Sequence, residues 1–451
     1  MIWSFETLGR EGLPRYHGAH ARVSAVTQTG ARSVRFDFHE PDRELPLLLG
    51  LRPILSAAHF NGRDFAESGL VAPLGSGPYV VGPFEAGRYI SFRRNPDWWG
   101  KDLPFNRGQH NFDEIRFEYF ADGGAMFEAF KAGEITSFRE GSAARWATAY
   151  DFAALREGQV LRAEIPHGRP SGMFGLAFNT RRPALADWRV RAALIEAFNF
   201  EFVNATVNDG LEPRIASYFS NSPLGMAAGP ARPEVRALLE PFADSLPPDA
   251  LDDLSLPVTD GREANRRGIR RAEVLLGEAG WHVRDGEMRN AQGEALVIEL
   301  LLQQGSAELR AVANIYASSL RRLGITLRVT MVEPAQYNLR TASYDFDMTP
   351  MTRAMSLSPG LEQRLYWGRA GVGTPGTRNW PGVDNPAVEA MIERLLVSGA
   401  EADFVAAAQA LDRALMAGRY VIPLWYVARG RIAHDRRLHY PERIPLYGDW
   451  Q

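Results

Sequence analysis

"LVIELLLQQGSAELRAVANIYASSLRRLGITLRVTMV", residues 296 to 332, is the stretch from which the fold can be read. LVIELLL is a short, nearly continuous apolar run, as expected of a strand covered on both faces. Behind it Val312, Ile315, Tyr316, Leu320 and Leu323 recur at helical spacing until Gly324 stops the helix. ITLRVTMV then alternates apolar with polar residues, the period of a second strand. A strand, a crossover helix and a strand predict a parallel pair with a right-handed connection, and so an α/β chain.

The pattern extends on both sides. Asp187 suits the N-cap of a helix whose face carries Val190, Leu194, Ala197 and Phe198. Ala272, Leu275, Leu276 and Ala279 repeat that spacing ahead of Gly280. Two more helices are expected at 386 to 397 and 402 to 417, followed by a buried strand in YVIPLWYV, 420 to 427. Residues 222 to 262, rich in Pro, Asp and Ala, have no clean period and read as a surface excursion. The first third reads as a sheet with one helix on it. Its strands are ARSVRFDFHE (31 to 40), two arms joined at EAG within 79 to 95, and FDEIRFEYF (112 to 120), with the helix in GAMFEAFKAG. Trp98 and Trp99 are expected to pack on that sheet.

At 451 residues the chain has the length of two to three domains. It is 45% hydrophobic and 23% charged with a formal net charge of -3, a balance that argues against a dedicated nucleic-acid binder. The absence of cysteine excludes thiol nucleophiles, disulfides and thiolate metal sites. The apolar run near the start, Leu45 to Leu51, is too short to span a membrane, and residues 1 to 20 lack the apolar core of a secretion signal.

Motifs for chemistry are sparse. Gly75 and Gly77 are followed by strand-like residues instead of a helix, which removes the phosphate-binding reading. His17 and His20 lack a third ligand and read as a surface turn, and RRGIRR (266 to 271) reads as a solvated helix face. No nucleophile elbow, zinc-protease motif or P-loop occurs, so no catalytic residue, metal or cofactor is assigned. The unusual segment lies between Thr349 and Pro386. There Arg353, Arg364, Arg369, Arg378, Tyr366, Trp367 and Trp380 sit in chain broken by glycine and proline. Guanidinium forks and aromatic planes on loops suit a polar ligand bearing carboxylates.

GSGPYVVGPFEAGRYISFRRNPDWWG (75 to 100) is similar to the G-T-G-P-Y…R-N-P-x-Y-W-G segment of the extracellular solute-binding proteins of family 5, the oligopeptide, dipeptide and nickel class of ABC importers. LAFNTRRPALADWRVRAALIEAFNF (176 to 200) and NWPGVDNPAVEAMI (379 to 392) fit the same family, and SLSPGLEQRLYWG (356 to 368) resembles its YejA-like branch.

The resemblance implies a two-lobed clamp of the type II periplasmic-binding-protein kind, with mixed sheets flanked by helices. Lobe I would comprise residues 1 to 170 and 427 to 451, and lobe II residues 171 to 426. It implies a periplasmic, monomeric receptor that passes peptides or peptide-like solutes, such as muropeptides, to a membrane permease, with no enzymatic activity and no nucleic-acid partner or membrane insertion. The expected ligand residues are Arg353, Ser356, Glu362, Arg364, Tyr366, Trp367, Arg378, Asn379 and Trp380 on the loop, with Arg169 and Asn179 near the hinge. Two departures stand out. The chain resembles a family member shortened at its N-terminus, and Met355 falls where peptide-binding relatives place an aspartate for the peptide amino group. The competing readings are a ligand-sensing regulatory domain, a carbohydrate-active enzyme and a nonfunctional remnant.

Overall fold

The computed structural model describes residues 1–42, 44–120 and 122–448. The chain forms two compact units, Met1–Ile135 and Thr136–Gln451.

In the first unit the three-stranded antiparallel sheet has the order Tyr79–Glu85, Tyr89–Arg94, Glu114–Glu118. The EAG hairpin lies where the alternation places it. A second hairpin pairs Val23–Gly30 with Ser33–Phe38, so the expected strand at 31 to 40 has a partner arm that the sequence reading missed. Nor does the unit carry a single helix. Besides Gly123–Lys131, helices run over Ile2–Arg10, Pro14–His20, Leu45–Gly50 and Ala57–Phe60. Ile2–Arg10 buries Phe5 and Leu8, too few apolar positions to register as a periodic stripe. His17 and His20 lie on a helix instead of a turn, bonded to the Gly12 carbonyl and the Glu6 carboxylate.

The tandem tryptophans also differ from expectation. Both indole N–H groups donate to the Ser76 carbonyl, at 2.9 and 3.0 Å, and Trp99 stays 72% exposed. They clamp the glycine-rich entry to the hairpin; Trp99 stands out from the sheet, while Trp98 is half-buried beside His110.

The second unit is built on a five-stranded sheet in the order Thr326–Val332, Val297–Gln303, Met348–Arg353, Met173–Phe178, Val421–Pro423. The first three strands run parallel, and Met173–Phe178 is antiparallel to both of its neighbours. Helix Ala307–Arg321 makes the predicted crossover. Side-chain alternation divides the sheet between two cores. Leu176 and Phe178 join Ile298, Leu300, Val312 and Tyr316 on one side. Met173 and Ala177 join Met351, Val388, Leu411 and Leu415 on the other. Both faces of the sheet carry a core, which is why LVIELLL is apolar at every position but Glu299, whose carboxylate pairs with Arg340 at the edge of the cover.

Helix Glu401–Ala417 is buried from Ala406 to Ala417, and its alanines let neighbouring elements approach closely. Within the 222 to 262 excursion the chain still forms a helix, Pro233–Leu239, and a 3-10 turn, Glu240–Ser245. A smaller sheet orders Ser137–Arg139, Arg429–Asp435 and Val160–Pro166, so strands far apart in sequence are hydrogen-bonded neighbours. Beside it Arg431 meets the buried carboxylate of Glu212 at 2.6 Å.

Asp412, on the long buried helix, is fully enclosed. It accepts hydrogen bonds from the Ser217 hydroxyl at 2.5 Å and from the backbone N–H groups of Tyr218 and Met226 at 2.8 and 2.7 Å. Burial pushes its carboxyl up to about 6, outweighing those donors, which pull the other way. A folded-state value above the unfolded one gives a stabilisation that is complete below the ordinary carboxyl value of 3.8 and is lost as pH rises through about 6. The wild type is therefore expected to lose stability relative to Asp412→Asn across that window, by up to about 3 kcal/mol. Urea titrations of both proteins at several pH values measure the difference, and a pH-independent gap would contradict the assignment.

Candidate functional site

Arg353 ends its strand where the chain leaves the sheet. Opposite it, Gly172 has φ of +66°, and a Cβ there would lie 2.3 Å from the Arg353 carbonyl oxygen, so the two chains can cross only at glycine. The Arg353 side chain turns back under the following loop and is 7% exposed. Its Nη1 donates to the Thr352 carbonyl at 2.8 Å and its Nη2 to the Arg378 carbonyl at 2.7 Å. The guanidinium lies 4.7 Å from the centre of the Trp380 ring and 5.6 Å from that of Tyr366.

Two features mark this arginine, and Arg214, elsewhere in the unit, shares both. The Arg353 Nε is buried without an acceptor, and no carboxylate among the described residues is within ion-pairing distance of it. Burial lowers its pKa to about 10, with Tyr366 acting in the opposite direction and Arg378 adding repulsion. At neutral pH it remains a cation, desolvated, with one N–H unanswered. That combination is costly unless an anion completes it.

The loop around it is held from below by Arg181, which belongs to the FNTRRP run. All five guanidinium N–H directions are used: Nε to the Val372 carbonyl at 2.7 Å, Nη1 to Asn179 Oδ1 and the Trp380 carbonyl, Nη2 to the carbonyls of Asn379 and Gly371. The same guanidinium stacks 3.8 Å above the Tyr344 ring. Sequence reasoning passed over Arg181 as a site residue. The alternation of Arg181 and Arg182 after a buried strand was its only signal.

The other expected residues divide by position. Tyr366, Arg378 and Trp380 surround Arg353, and Arg378 is exposed at the rim, 5.9 Å from the Tyr366 ring. Ser356 and Glu362 shape the adjoining turns: Ser356 Oγ accepts from Ser358 N, and the Glu362 carboxylate accepts from Gly360 N at 3.0 and 3.1 Å. Trp367, 1% exposed, donates to Gln363 Oε1 and stands edge-on to Tyr218 in the core. Asn179 Nδ2 donates to the carbonyls of Tyr344 and Phe346, and Asn379 Nδ2 to those of Gly368 and Val383. Burial and hydrogen bonding make Trp367, Asn179 and Asn379 supports of the loop from inside. Arg364 points outward into a two-bond pair with Glu393, at 2.9 and 2.6 Å. Arg169 is half-buried, and its carbonyl accepts from Asn221 Nδ2 at 2.9 Å. Met355 is buried, with Gln363 Nε2 against its sulfur at 3.4 Å.

Replacing Arg181 by Met removes the common anchor and leaves several partly buried carbonyls unanswered. A loss of about 3 kcal/mol in unfolding free energy is expected, together with new proteolytic cuts between Gly371 and Trp380. A variant as stable and as resistant as the wild type would show that the loop holds itself.

Among the described residues no group of three or more histidines, aspartates or glutamates is placed to hold a metal ion, and no helix is long and apolar enough to cross a membrane. Residues 1–370 match the model of the bacterial extracellular solute-binding proteins, family 5. The peptidoglycan-binding protein YepA of Agrobacterium fabrum is 37% identical, with 100% of this chain aligned to 74% of its length. YejA of Escherichia coli is 31% identical over 99% of this chain and 73% of its own. Among solved structures, the oligopeptide-binding protein AppA of Bacillus subtilis, in complex with a nonapeptide, superposes with a TM-score of 0.71 at 18% identity, covering 96% of this chain and 78% of that one. The α/β fold of the type II periplasmic binding proteins expected from the sequence is the fold found, and the chain belongs to family 5 of the bacterial extracellular solute-binding proteins, on the branch that includes YejA.

Proposed function

We propose that this chain is the receptor of an ABC importer and that it captures a peptide or peptide-like solute bearing a free carboxylate. Arg353 carries this reading: it is a buried guanidinium among aromatic rings, with an orphaned Nε and no carboxylate of its own. A ligand carboxylate would supply the missing acceptor and charge, with Arg378 at the rim as a second cation and Trp380 as an apolar wall. Met355 offers no charge for a peptide amino group, so recognition rests on the acidic end of the ligand. The relative named for peptidoglycan binding favours cell-wall fragments, which combine short peptides with several carboxylates.

In this reading the protein acts in the periplasm as a monomer, binds without turnover and hands its cargo to a membrane permease. Its lobes would be residues 1 to 170 with 427 to 451, and residues 171 to 426. Ligand would stabilise a closed state through contacts absent from the open one.

Calorimetry with acidic tripeptides and muropeptides, each compared with its carboxyl-amidated form, tests the proposal. Amidation is expected to weaken binding about a hundredfold, and Arg353→Gln to weaken the free acid by a similar factor while leaving the amide unchanged. Equal affinity for acid and amide would overturn it.

A further inference from the structure

Two adjoining cavities of the second unit share no residue with the Arg353 site. Both lie along helix Arg266–Glu278, which begins with the RRGIRR run. The first, of about 680 Å³, has Leu254, Leu256, Val274, Leu275, Met226 and Met416 in its wall, with Glu196, Asp249, Asp253 and Arg419 as its charged residues besides the helix arginines. The second, of about 600 Å³, is lined by Arg262, Arg266, Arg267, Arg270 and Arg271, against only Glu196 and Asp260 as acids. Arg267, Arg270 and Arg271 line both, together with Glu196 and Pro257, so the two cavities adjoin along this helix.

The arginines are poorly compensated. Arg271 approaches Glu196 at 3.7 Å and Arg262 approaches Asp260 at 3.8 Å, both loose pairs. Among the described residues, Arg266, Arg267 and Arg270 have no carboxylate within ion-pairing distance. Their backbone is held rigidly. Asn265 caps the helix through the Gly268 N–H and donates to the Glu196 carbonyl at 2.9 Å. A Cβ on Gly268 would lie 2.3 Å from that same carbonyl oxygen, so only glycine lets this helix sit so close to helix Trp188–Ala197. Arg267, Arg270 and Arg271 are exposed on the helix face, as the sequence suggests, and they also line both cavities.

We propose that this is a second ligand site, for an amphipathic anion. A phosphate or carboxylate head group sits among Arg266, Arg267 and Arg270, and an aliphatic chain runs along Leu256, Val274 and Met416. Guanidinium forks supply paired donors to either head group, and the apolar wall gains by covering the chain from water. The adjoining cavities distinguish this ligand from a bare anion, which would use only the basic one.

Titration calorimetry on the full chain, with each amphiphile below its micelle concentration, tests the site. Saturable binding of dodecyl phosphate or dodecanoate at one per chain supports it, the tighter of the two naming the head group. Inorganic phosphate and dodecanol are each expected to bind at least about tenfold more weakly. Arg267→Glu combined with Arg270→Glu is expected to weaken the amphiphile about tenfold or more, as is raising the salt to about 1 M. Val274→Asp is expected to weaken it as well. The substituted residues are exposed, so thermal midpoints should hold. Binding of dodecanol or inorganic phosphate as tight as that of the amphiphile, affinity indifferent to the arginine reversals and to salt, or no binding at all overturns the proposal.

Discussion

The guanidinium of Arg181 is the point on which the loop around Arg353 in the second unit depends. Its five N–H groups reach four main-chain carbonyls between Gly371 and Trp380 and the side chain of Asn179. A loop of glycine, proline and threonine has no hydrogen-bonding ladder of its own, and conformational entropy favours opening it. One planar cation with fixed donor directions replaces that ladder. Because the Arg378 carbonyl also receives Arg353 Nη2, the position of the loop and the orientation of Arg353 are set together.

Arginine serves two purposes in this unit. Arg191 donates to the carbonyls of Gly418, Leu185 and Ala186, and Arg413 reaches those of Ala250, Ala227 and Gly229. These cations are neutralised by dipoles and tie loops to helix ends. Arg353 has only two such carbonyls and keeps an N–H without an acceptor. Arg353 thus differs from Arg191 and Arg413 in its unanswered donor, a feature it shares with Arg214, while burial is common to all four.

That difference shows which parts of the site could be read in advance. The βαβ unit at 296 to 332 was legible because burial on both faces of a strand and on one stripe of a helix imposes repeating patterns. The grouping of Tyr366, Arg378 and Trp380 with Arg353 followed from composition, since all four lie in the one segment broken by glycine and proline. Composition could not tell Trp367 from Trp380, or Arg364 from Arg353. Which ring enters the core and which arginine meets Glu393 are decided by the turn of helix Glu362–Trp367 and by a partner on a separate helix. Asn379 looked receptive as a loop amide, yet it closes the turn from Gly368 to Val383 from inside. Helix Ile2–Arg10 and the hairpin arm Val23–Gly30 stayed hidden for another reason. The helix is short and the strand largely exposed, so neither needs a strong apolar period.

The order of strands in the main sheet bears on how the molecule comes into being. Met173–Phe178 is hydrogen-bonded on one side to Met348–Arg353 and on the other to Val421–Pro423, segments that leave the ribosome much later. A strand whose two neighbours arrive last has no place to settle during synthesis, and loop-closure entropy opposes any early attempt. MFGLAF thus lacks its sheet partners until Met348–Arg353 and Val421–Pro423 have both been made. An apolar strand left without partners for so long a stretch of chain favours association with other exposed strands.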